Sequence, residues 1–132
     1  MALELLGEID LIAMTHDLCA VRAPNSAEAN AAAYASWRKR HGPAVQEAND
    51  ELMKYESKLA PHLKTFSEGN ISSVREARAL LTDQMNTAAD GRGPAYIASM
   101  CKGFPDFIAS LEPGIEDRIL SRRQAFRSAF GE

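Results

Sequence analysis

Apolar residues recur along this chain at intervals of three and four, the spacing that lines one face of an α-helix. Leu5, Ile9, Ile12 and Cys19 fall near that spacing, and Leu6, Leu11, Met14 and Leu18 widen the stripe. A first helix is predicted from about Ala2 to Val21. Pro24 disfavours helical geometry at Ala23, so a turn should follow. Asn25-Ser26-Ala27-Glu28 reads as a capping box opening a second helix. The longest stripe comes next: Tyr34, Trp37, His41, Val45, Ala48, Leu52, Tyr55, Leu59 and Leu63. Its phase continues across Gly42-Pro43. Proline lacks an N–H and crowds the carbonyl four residues earlier, so a kink is expected at Pro43. A straight helix of that length would extend about 50 Å, against a radius of gyration of about 14 Å for a domain of this size. The helix should therefore bend there and end near Pro61.

Ser73-Val74-Arg75-Glu76 is a second capping box. The helix it opens should run to about Ala88, with Val74, Ala77, Leu81, Met85 and Ala88 on one face. Asp90-Gly91-Arg92-Gly93-Pro94 reads as a loop, with Pro94 as the first residue of a fourth helix. Tyr96, Ile97, Met100, Cys101 and Phe104 form the inner face of that helix. Pro105 and Glu112-Pro113-Gly114 mark further breaks, and a last helix should run from Ile115 to about Ala129. The expected fold is all-α: an antiparallel bundle of four principal helices, the second long and kinked, plus a C-terminal helix. It should form a single domain over residues 1–132. Expected core positions are Ile9, Ile12, Trp37, Val45, Leu52, Leu59, Leu81, Met85, Ile97, Cys101, Phe104, Ile108, Ile119 and Phe126.

Composition supports the helical reading. Alanine occurs 22 times and leucine 12, against 14 for valine, isoleucine and threonine together, and β-branched residues lose more side-chain freedom in a helix. With 45% hydrophobic and 25% charged residues, the chain has the composition of a soluble globular domain rather than a disordered one. A net charge of −3 supplies no broad basic surface to release counterions, so nucleic acid is not an expected partner. No apolar run is long enough to predict a membrane span. Met1-Ala2-Leu3-Glu4 lacks the basic start of a signal peptide. Met1 then reads either as a native cytosolic start or as an initiator placed on a mature exported chain.

The charge is unevenly distributed. The first helix carries only acids, Glu4, Glu8, Asp10 and Asp17, and the last carries Arg118, Arg122, Arg123 and Arg127. These arginines can pair with the first helix or bind an acidic partner. Trp37-Arg38-Lys39-Arg40-His41 is the single basic run and holds the single tryptophan. Either it is a docking patch, since Trp and Arg are enriched at binding hot spots, or Trp37 and His41 face the core while the cations between them are solvated. Arg38, Arg40, Arg122 and Arg123 are the candidate partner-binding residues.

Cys19 and Cys101 have two readings. They are buried free thiols of a cytosolic protein, or one disulfide tying the first helix to the fourth in an oxidising compartment. We favour the disulfide, which would close a loop worth about 4 kcal/mol in the chain-entropy model. His16, three residues before Cys19, makes a Zn²⁺ or copper site with both cysteines the rival use, with Met14 and Met100 alongside. No paired-cysteine ligand motif supports it, so no metal is assigned. Cys-x-x-Cys-His, Glu-x-x-His, Gly-x-Ser-x-Gly and the glycine-rich phosphate loops are all missing, so no cofactor and no catalytic residue is expected.

A small acidic chain with one cysteine in its first helix and another late in the sequence resembles small helical proteins of the Gram-negative periplasm. Some of those bind and block toxins or enzymes. The expectation is a non-enzymatic protein, periplasmic or secreted, that binds another protein as an inhibitor, immunity or accessory factor. Two alternatives stand beside it. One is a small-molecule or metal carrier with a site between helices. The other is a cytosolic secretion chaperone or adaptor acting through its acidic first helix.

Overall fold

A computed structural model describes residues 2–130, and Met1, with its two readings, lies outside them, as do Gly131 and Glu132. The described residues form an all-α fold of seven helices: α1 (Ala2–Arg22), α2 (Ala27–Lys54), α3 (Glu56–Phe66), α4 (Val74–Arg92), α5 (Pro94–Lys102), α6 (Phe104–Leu111) and α7 (Ile115–Phe130). A single 3₁₀ turn, Pro24–Ser26, joins α1 to α2. The expected four-plus-one bundle is therefore too simple, for two local reasons.

The long second stripe divides at Tyr55 into α2 and α3, and helix continues through Pro43. Tyr55 leaves helical geometry, and its amide donates to the Leu52 carbonyl at 3.3 Å. Pro43 lies inside α2 and Pro61 inside α3. Both prolines are exposed, as are Lys39 and Ser57, whose carbonyls they leave without a helical donor. Water can take those carbonyls, so the prolines leave no buried acceptor unpaired, while the crowding of ring against carbonyl remains. The break at Tyr55 instead serves packing: the Tyr55 ring meets the Phe126 ring edge-on at 5.8 Å. The break expected at Pro105 falls two residues earlier, at Gly103; the further turns form a helix of their own, α6, and Pro105 occupies its first turn, where its missing N–H costs nothing.

The two capping boxes behave differently. Pro24 starts the 3₁₀ turn early and draws Asn25 into it, so α2 begins after Ser26 with no side-chain cap. At α4 the Ser73 hydroxyl accepts from the Glu76 amide at 3.1 Å. Glu76 in turn accepts from the Ser72 amide at 3.2 Å. Helix α4 then continues through the expected loop to Arg92 and stops at Gly93, whose φ of 92° favours glycine.

Helix α1 is the centre of the molecule and touches α2, α4, α5, α6 and α7. Leu5, Leu6 and Ile9 anchor the main core with Leu52, Leu59, Ile119 and Phe126. Ile12 joins Trp37, Phe104 and Ile108 in a second cluster, and Leu18 and Cys19 join Ala89, Ile97 and Cys101 in a third. Of the expected core positions, Val45, Leu81 and Met85 are only half-buried, because each packs on the edge of a cluster. Ala88 is exposed, and its neighbour Ala89 is buried in its place. Among the described residues, no helix is long and apolar enough to cross a membrane.

Candidate functional site

Cys19 and Cys101 form a disulfide across 82 residues, with Cα atoms 5.3 Å apart. It ties the last turns of α1 to α5. Both sulfurs are bonded to each other, so neither is a thiolate ligand. His16 stacks on Tyr34 with ring centroids 4.3 Å apart, and its Nδ1 lies 3.2 Å from Asp17. Among the described residues, no group of three His, Cys, Asp or Glu side chains is placed to hold a metal ion.

Beside the disulfide is a buried polar residue that the pattern analysis missed. Asn30 is 2% exposed, and its Nδ2 donates to the Cys101 carbonyl at 3.0 Å. One signal was available: Asn30 precedes Tyr34 by four residues and extends the buried stripe of α2 by one turn.

Trp37 is 3% exposed. It packs among Ile12, Phe104 and Ile108, so the basic run surrounds a core residue. Arg38 lies over the Tyr34 ring at 5.6 Å. Arg40 pairs with Glu112, its Nη2 lying 3.0 Å from Oε2, and also reaches the Ser36 hydroxyl. His41 sits between two carboxylates, with Nε2 2.9 Å from Glu112 and Nδ1 2.7 Å from Glu116. Hydrogen bonds from Arg40 and His41 hold the Glu112 carboxyl below its ordinary range. A hollow of about 670 Å³ lies between α1 and α2, bordered by Asp10, Tyr34, Trp37 and Arg38.

The α7 arginines divide between two helices. Arg118 donates to Glu8 at 3.0 Å and Arg122 to Glu4 at 3.2 Å, both on α1. Arg123 donates to Glu51 at 3.2 Å and Arg127 to the same carboxylate at 2.7 Å, on α2. Burial of Glu51 works against its charge, but these two guanidinium groups outweigh it and hold its carboxyl below the ordinary value. Arg123 is correspondingly held more firmly in its charged form by Glu51. Of the four candidate partner-binding arginines, Arg40, Arg122 and Arg123 thus have carboxylate partners within the fold. Arg38 has none among the described residues.

A different surface stands out at the opposite end of α1. Phe66, at the end of α3, is 70% exposed. It borders a hollow of about 380 Å³ with Leu3, Leu59, His62, Leu63 and Phe130. The His62 and Phe130 rings meet edge-on at 4.8 Å. A neighbouring hollow shares His62 and Phe130 and is bordered by Lys58. The sequence pattern hides this site, because a helix ending near Pro61 would place Phe66 in a connector. Comparison with protein-family models, curated proteins and solved structures gave no match to this chain.

Proposed function

We propose that this chain is a non-enzymatic helical protein that binds another protein in an oxidising compartment, periplasmic or secreted. The observation that carries the reading is the apolar surface around Phe66. A large aromatic side chain held in water beside a concave apolar hollow has an unmet hydrophobic driving force, and such surfaces mark interaction sites. The Cys19–Cys101 disulfide supports the compartment, since structural disulfides persist where thiols are not kept reduced. An inhibitory, immunity or accessory role fits a small domain whose chemistry-bearing side chains pair among themselves. The carrier reading loses its thiolate ligands to the disulfide.

The test uses the protein at its natural abundance in its native host. Alkylation and mass spectrometry without reductant should find both cysteines blocked. Cross-linking in intact cells should recover one stoichiometric partner from the same compartment. Free thiols in the isolated protein, or the lack of any stoichiometric cross-link, overturns the proposal.

A further inference from the structure

We infer that the Phe66 surface receives an acidic amphipathic helix of the partner protein; this rests on the partner-binding reading above and names the partner's chemistry. Lys58, His62 and Phe66 follow one another at four-residue intervals on α3 and so lie along one line of the helix. Leu59 and Leu63 form the adjacent buried line, and Leu3 and Phe130 close the far side of the hollow. The Phe66 hollow thus has an apolar floor, and the neighbouring hollow that shares His62 and Phe130 carries Lys58 at its edge. That is the geometry in which an amphipathic helix lays its apolar face, with anchors at i, i+3, i+4 and i+7.

Charge selects among the occupants. Lys54, Lys58 and Lys64 have no carboxylate partner among the described residues; Lys54 and Lys58 instead lie 5.6 and 5.7 Å from the centre of the Tyr55 ring. The arginines of α7, by contrast, are all paired. Among the described residues the one acid bordering the hollow, Glu4, is held by Arg122. A partner carboxylate facing Lys58 would meet an uncommitted cation. Lys58 and Phe66 are eight residues apart, about 12 Å along the helix, so the partner acid should lie two turns from the anchor that meets Phe66.

The test measures fluorescence anisotropy of a labelled amphipathic Leu/Ala/Glu peptide against the oxidised full chain, with a Leu/Ala/Lys peptide of the same pattern as control. The acidic peptide should bind saturably and at least tenfold more tightly than the basic one. Phe66→Ser should weaken it at least tenfold, and Lys58→Glu should reverse the preference between peptides. Both substitutions are at exposed positions, and circular dichroism checks that the fold is kept. Equal binding of both peptides, no binding of the acidic one, or indifference to Phe66→Ser overturns the inference. So does a dimer in sedimentation that Phe66→Ser dissolves, or preferential binding to anionic vesicles. If Phe66→Ser leaves the cellular cross-link intact, this surface is wrong while the partner-binding reading stands; if the wild-type chain gives no cross-link, that reading falls.

Discussion

At one end of α1, Cys19 is bonded to Cys101 inside a cluster of five buried residues. At the other, Leu5, Leu6 and Ile9 enter a cluster of thirteen, and an open hollow lies under Phe66 beside it. The contrast is one of how closure is achieved. Five buried residues, two of them the half-cystines, offer little apolar area, so the covalent link supplies what packing does not. The larger cluster buries enough area to leave Phe66, Lys58 and Lys64 outside it. A hollow of about 320 Å³ also borders the bonded end, at Arg22, Asp90 and Ile97, so what sets the other end apart is the exposed aromatic side chain at its rim.

Breaking the bond is the strongest test of this contrast. The double substitution Cys19→Ser, Cys101→Ser should cost about 4–5 kcal/mol in the chain-entropy model and lower Tm by roughly 15 °C, as measured by calorimetry. A drop of only a few degrees would mean that the small cluster holds by packing alone. At the other end, Phe126 is fully buried. Phe126→Ala should cost about 3–5 kcal/mol in urea unfolding. Near the disulfide, Asn30→Ala removes the hydrogen bond to the Cys101 carbonyl and should cost about 1–2 kcal/mol. Phe66→Ser, only a few residues from the main core, should change stability by less than about 0.5 kcal/mol while weakening the acidic peptide. That separation between Phe126 and Phe66 would distinguish a core aromatic from the recognition aromatic proposed at Phe66.

Acid sharpens the same comparison, because the carboxylates held low lie on α2 and at the α6–α7 junction. Glu51 and Glu112 titrate in the folded state below the ordinary carboxyl value of 4.5. Their contribution is complete above that value and is lost as pH falls through the depressed folded values. Unfolding free energy should therefore decline below about pH 4.5, and Glu51→Gln should flatten the decline. An unchanged acid limb would show that the Arg123 and Arg127 contacts do not stabilise the fold.

The repeat of three and four residues, the alanine content and the Ser73–Glu76 cap were enough to establish an all-α chain and most of its helix positions, because those are local properties of the backbone. The buried Trp37 also followed from phase alone. Tertiary structure decided the break at Tyr55, the survival of helix through Pro43 and Pro61, and the burial of Asn30. An exposed proline can leave its orphaned carbonyl to water, and exposure is settled by packing. The same limit applied to charge. Arg40, Arg122 and Arg123 are as cationic in sequence as Lys58, but only the assembled fold brings carboxylates to the arginines and, among the described residues, leaves Lys58 without one. Sequence determined which residues carry charge and which are apolar; tertiary structure decided which remain available, because availability depends on neighbours distant along the chain.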